Sequence, residues 1–136
     1  MVLADAGALY ALVDRDDPWH DRVRSWWEAE REPVRVPVTV VPEVTYLLGE
    51  WIGARAELDF AREIVRGEFM IEDLREADVR RAADVMAVYL DSPIGFVDAS
   101  IVAMAERLGV TRILTTDRRH FGLVRPSHVP AFELVP

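Results

Sequence analysis

The sequence predicts an α/β domain built on a mainly parallel sheet. Two observations carry this expectation. Short apolar or β-branched runs alternate with longer stretches of helical apolar period from one end of the chain to the other. The chain has 136 residues, 51% of them hydrophobic, with no internal repeat, low-complexity tract or Gly/Ser/Pro-rich linker, which suits one domain, 1–136, around one core.

In order, VLAD opens as a buried strand ending at Asp5, and a short helix starts near Gly7. Asp17-Pro18 reads as an N-cap and a first-turn proline, followed at helical spacing by Trp19, Val23, Trp26 and Trp27. PVRVPV (33–38) is strand-like. From Thr39, the set Val40, Val44, Leu47, Leu48 and Trp51 returns to helical period, with Pro42 confined to the first turn. A helix over about 55–66 uses Leu58, Ala61, Ile64 and Val65 and can end at Gly67. A short strand is expected at Phe69–Ile71, then a helix over 75–90 on Val79, Ala82, Ala83, Met86 and Leu90. The next helix carries Val97, Ile101, Met104, Ala105 and Leu108 and stops at Gly109. TRILTT (111–116) is a strand, and VPAFELV (129–135) is the last, placed at an edge by its proline.

Composition removes several classes. No apolar run approaches the roughly 20 residues that span a bilayer, so no membrane association is expected. The apolar start lacks a basic leader, and the absence of cysteine excludes disulfides and thiolate metal sites; a cytoplasmic protein is expected. The net charge of −8 opposes indiscriminate attraction to nucleic acid, although a local basic surface is compatible with it. All 16 basic residues are arginine, a usage that suits phosphate contacts but also follows from genomic composition.

Ligand sites in open parallel sheets gather beyond the carboxyl ends of the strands. Asp5 closes the first strand and Asp117 follows the strand ending at Thr116. Glu43 stands in the first turn of a helix after the second strand, and Asp98 near the start of another. If those helices begin at one edge, four carboxylates converge, and such a group repels itself unless a cation neutralises it. Oxygen donors suit Mg²⁺ or Mn²⁺, which activate water and offset phosphodiester charge. Each acid also has a local structural reading. Asp98 can cap a helix with Val97 stapled to Val102, Glu43 can meet a helix dipole, and Asp117 can form an Asx-turn. Asp5 is the hardest to assign this way, because an acid ending a buried apolar strand is costly without a partner.

With VLADAGALYALVDRDDPWH, VPEVTYLL around Glu43, FVDASIVAMAERLG around Asp98 and ILTTDRRHF around Asp117, the chain resembles PIN-domain proteins, in particular the VapC-type toxins of bacterial toxin–antitoxin pairs. The resemblance spans nearly the whole chain and lies in the order and spacing of the four segments together. It implies a three-layer α/β/α sandwich and a metal-dependent endoribonuclease, with RNA as substrate, a cognate antitoxin as partner and a homodimer as the usual assembly. Asp5, Glu43, Asp98 and Asp117 would be its catalytic, metal-binding acids, with Thr115 or Thr116 assisting beside Asp117. Two departures stand out. Ala6-Gly7 follows the first aspartate where relatives often have a hydroxyl residue, so Gly7 is expected to admit a close backbone approach to ligand. Gly95 stands where many relatives carry a further acid, so one Mg²⁺ or Mn²⁺ ion is expected rather than two.

Arg112, Arg118, Arg119 and Arg125 surround the last acid and are candidates to hold RNA phosphates, Arg118 and Arg119 above all; a solvated loop is the competing reading. His120 and His20 read as packing or capping residues, and Trp19, Trp26 and Trp27 as core or a partner surface rather than base-stacking platforms. The alternative function is a non-catalytic PIN-like module binding RNA or protein, which Gly95 favours. A phosphotransfer domain with strand-end acids usually needs a lysine, and the chain has none.

Overall fold

The computed structural model describes residues 1–136. Its elements are β1 (Val2–Ala4), α1 (Ala6–Val13), α2 (His20–Ala29), β2 (Val34–Pro37), α3 (Val40–Trp51), α4 (Ala54–Arg66), β3 (Met70–Glu72), α5 (Glu76–Val88), α6 (Phe96–Leu108), β4 (Arg112–Leu114), α7 (Arg118–Leu123) and β5 (Glu133–Val135). The five strands form one sheet in the order β3-β2-β1-β4-β5, and every pair is parallel. Strand succession runs outward from β1 to β3, then jumps back across to β4. Right-handed crossovers therefore put α1–α4 on one face and α5–α7 on the other, giving the expected α/β/α layering. The helix contacts divide the same way, α1 with α2 and α3, α3 with α4, and α5 with α6.

β1 lies at the centre and is wholly buried, as a strand covered on both faces must be. α6 is buried from Ala99 through Ala105, so its small residues are what let it lie against both the sheet and α5. Gly109, in the left-handed region at φ 68°, ends α6, and Gly67, at φ 84°, ends α4.

Several expectations shift. Asp17 accepts from the Trp19 N–H at 2.7 Å and its carbonyl from the His20 N–H, so it caps a preceding turn, while α2 itself begins at His20. α4 turns Phe60 inward, with Ala56 and Ile64 half-buried beside it, leaving Leu58 and Val65 exposed. α5 buries Asp78, Ala82 and Val85 instead of Val79, Ala83 and Leu90. The reason is an ion pair: Arg107 of α6 donates to Asp78 at 2.8 Å and to Glu72 at 3.1 Å, and Arg35 donates to Glu72 at 2.7 Å. A carboxylate so compensated can take a core position that apolar periodicity assigns elsewhere. β3 is displaced by one residue, ending at this paired Glu72.

Candidate active site

β1 and β4 are adjacent, with Ala4 opposite Leu114, and the strand order reverses between them. Such a reversal leaves a crevice beyond the strand ends, because the following helices leave toward opposite faces. Asp5 is the first residue past β1, only 7% exposed, and its N–H bonds to Leu114 O. Asp5 also N-caps α1, accepting from the Ala6 N–H at 2.6 Å, and its other oxygen accepts from the Thr115 hydroxyl at 2.8 Å. Thr115 Oγ1 in turn accepts from the Asp117 N–H at 2.9 Å. Thr115 is fully buried, and its hydroxyl forms a bridge that fixes the two acids relative to each other.

Asp117 N-caps α7, a helix that the arginine-rich loop reading of this segment missed. Its Oδ1 accepts from the N–H groups of Arg119 and His120, and its Oδ2 faces His120 Nδ1 at 2.6 Å. Asp98 lies in the first turn of α6, but the N-cap is Gly95; Asp98 is half-buried and no donor of the chain bonds to its carboxylate. Glu43 is exposed in the first turn of α3, which is tied to α6 by a 2.7 Å bond between the Thr39 and Ser100 hydroxyls.

These acids feel one another. Burial, and then the charges of Asp5, Asp117 and Glu43, push Asp98 up to about 7. Burial raises Asp5 to about 6 against the pull of Thr115 and Ala6, with Glu43 and Asp117 adding repulsion. Lost hydration raises Glu43. Burial opposes ionisation of Asp117 too, but the His120 N–H, its ring and the Arg119 N–H outweigh it, and Asp117 is lowered. The contrast with the remaining buried acids is sharp. Glu72 and Asp78 are each paired with arginine, whereas no arginine bridges Asp5, Glu43, Asp98 or Asp117. Carboxylates with no arginine partner, near enough to raise one another, are a donor set that fits a hard divalent cation. Asp98, Asp117 and His120 already hold ligand atoms within 4.8 Å of one another.

The basic residues distribute differently from expectation. Arg112 sits at the opposite end of β4, paired with Glu30, Glu32 and Glu133. Arg118 donates to the carbonyls of Leu134 and Pro136 and lies over Trp19. Arg125 donates to the carbonyls of Gly122, Leu123 and Val124, closing α7. Arg119 alone of the four is exposed beside the acids without a side-chain partner. Thr116 is half-buried, and a Cβ on Gly7 would fall 2.6 Å from its hydroxyl, so Gly7 admits Thr116 rather than a ligand.

The fold and site define an α/β protein with a group of acids near a sheet reversal, able to accept a cation. The chain belongs to the PIN domain family, which matches residues 2–125. It is 33% identical over 135 residues, 99% of this chain and 100% of the relative, to Ribonuclease VapC26 of Mycobacterium tuberculosis. Among solved structures it is similar to VapC20 of Mycobacterium tuberculosis, described as a sarcin-ricin loop cleaving toxin, with TM-score 0.82, 19% identity and coverage of 88% of this chain and 92% of that one. It is also similar to DNA-bound VapBC from Salmonella typhimurium, with TM-score 0.73, 12% identity and coverage of 98% and 95%.

Proposed function

We propose that the chain is a metal-dependent endoribonuclease hydrolysing RNA phosphodiesters, the toxin of a type II toxin–antitoxin pair, acting in the cytoplasm. The observation that carries this reading is half-buried Asp98, unpaired and pushed up by Asp5, Asp117 and Glu43 beyond the β1/β4 reversal, in a chain one-third identical to a named ribonuclease over its full length. Asp5, Asp98, Glu43 and Asp117 would hold one Mg²⁺ or Mn²⁺. One ion is favoured over two because Gly95 brings no carboxylate to the start of α6. When bound, such an ion activates water and offsets charge on the phosphoryl oxygens. The chain's own groups do the positioning. Thr115 locks the rotation of Asp5, the α7 amides hold Asp117, and Arg119 offers a guanidinium to an adjacent phosphate.

Exposed Tyr46, Trp51, Ile52 and Val65 on and around α3 and α4 support association with a second copy. An apolar pocket formed by Leu12, Val13, Ala56, Phe60 and Phe69 supports a seat for an antitoxin segment.

Purified protein is expected to cleave RNA with Mn²⁺ or Mg²⁺ and to stop when a chelator is added. Asp5→Asn should remove cleavage while leaving the circular dichroism spectrum unchanged. Undiminished cleavage by folded Asp5→Asn would exclude this mechanism, and RNA binding without cleavage by the wild type would favour the non-catalytic module.

A further inference from the structure

We propose that Thr116 donates its hydroxyl proton to a phosphoryl oxygen of RNA bound at the acids, and that Gly7 is the positioning residue that keeps this hydroxyl in place. The inference rests on the ribonuclease reading and adds to it a substrate contact built from two elements.

A phosphate approaching a group of carboxylates meets only acceptors, so the donors set beside them decide whether it can be held. Most of those donors are spent. Thr115 gives its hydroxyl to Asp5, and the Arg119 and His120 amides go to Asp117. Thr39 and Ser100 bond to each other, Ser100 also reaches Val97 O, and Thr45 turns back to Val41 O. Among the threonines and serines beside the acids, Thr116 alone has a hydroxyl that bonds to nothing in the chain. It is half-buried, so its direction is fixed by packing while one side stays open to a ligand.

Gly7 sets where that hydroxyl points. A Cβ built on Gly7 would stand 2.6 Å from Thr116 Oγ1, 3.9 Å from Thr116 Cβ and 3.8 Å from Asp5 Oδ2. The hydroxyl therefore fills the space that a side chain at position 7 would take, and Asp5 borders the same space. Gly7 lies in the first turn of α1 with an ordinary helical backbone, where alanine would favour the helix. No backbone requirement explains a glycine there, but the contact with Thr116 does. Threonine is β-branched and keeps to staggered χ1 positions. Of its two other rotamers, one puts the methyl into the same space. Only the remaining one makes room for a side chain at position 7, and it swings the hydroxyl away.

The test compares wild type with Gly7→Ala, Thr116→Ala, Thr116→Ser and the double variant Gly7→Ala/Thr116→Ala. Each full-length protein is unfolded in urea and assayed with Mn²⁺ for single-turnover cleavage of a labelled RNA of randomised sequence. Thr116→Ala should raise the protein concentration that half-saturates cleavage by roughly tenfold and leave the maximal rate close to wild type, the mark of a contact already made in the bound state. Thr116→Ser keeps the hydroxyl and should stay near wild type. Gly7→Ala should match Thr116→Ala, and the double variant should be no worse than either. In urea, Gly7→Ala should raise the midpoint in the Thr116→Ala background but not with Thr116 in place. Unchanged half-saturation in Thr116→Ala, or an equal loss in Thr116→Ser, overturns the hydroxyl contact and leaves the ribonuclease reading standing. An equal gain in midpoint from Gly7→Ala in both backgrounds overturns the role of Gly7. Absence of cleavage by folded wild-type protein would overturn the ribonuclease reading itself, and this inference with it.

Discussion

Asp98 carries a cost that the fold leaves unrelieved. Its carboxyl is pushed up to about 7 by burial and by three neighbouring acids, against an ordinary value of 3.8. The folded state therefore holds this proton more tightly than the unfolded chain does. The stability so contributed is complete below about pH 4 and is lost as pH rises to about 7. Asp98→Asn removes the penalty. Metal-free variant at pH 8 should be more stable to urea than wild type, by about 1 kcal/mol after allowing for solvent screening at its open side, yet inactive on RNA. A variant less stable than wild type at that pH would show that Asp98 is compensated after all. Thr115 behaves oppositely. Thr115→Val leaves a buried Asp5 oxygen and the Asp117 N–H without their shared partner and should cost about 1–3 kcal/mol, read as a lower urea midpoint at unchanged slope.

At the level of elements, β3, α5 and α6 are held together by Arg107, which reaches Glu72, Asp78 and the Asp73 carbonyl. Arg107→Met strands buried Asp78 and leaves Glu72 with Arg35 alone, and should destabilise the protein by about 3 kcal/mol, measured by urea unfolding, with part of the loss recovered at acid pH as the stranded carboxyl protonates. This network also explains which elements could be read in advance. β1, α3 and α6 advertise themselves through apolar runs and period, and Gly67 and Gly109 mark two helix ends. The buried faces of α4 and α5 do not follow from period alone. Phe60 takes the place of the stripe headed by Leu58 and Val65 in one, and an aspartate whose partner lies 29 residues away occupies the core in the other. α7 is hard to read in advance because its six residues are too few to show a helical apolar period and its start depends on Asp117 capping two amides. Asp5 and Asp117 stand out in the sequence at strand ends, and Glu43 and Asp98 in first helical turns. The contact of His120 with Asp117 does not stand out, since a lone histidine in a basic stretch gives no sign of the carboxylate it meets.

For the whole molecule, the proposed cation site makes metal binding and pH inseparable. Asp5 at about 6 and Asp98 at about 7 must lose their protons to hold an ion, so affinity should climb from pH 5 to pH 8 with proton release. Added Mn²⁺ is accordingly expected to raise the melting temperature far more at pH 8 than at pH 5, and equal shifts at the two pH values would contradict the site. The same sheet reversal that gathers these acids draws them from residues 5, 43, 98 and 117, and no two are neighbours in the chain. Cutting competence is thus a property of finished folding, possessed by no fragment. While the chain is being synthesised, the centre stays incomplete until β4 and α7 have left the ribosome, so a nascent chain arrested before residue 112 is expected to be silent toward the RNA that surrounds it.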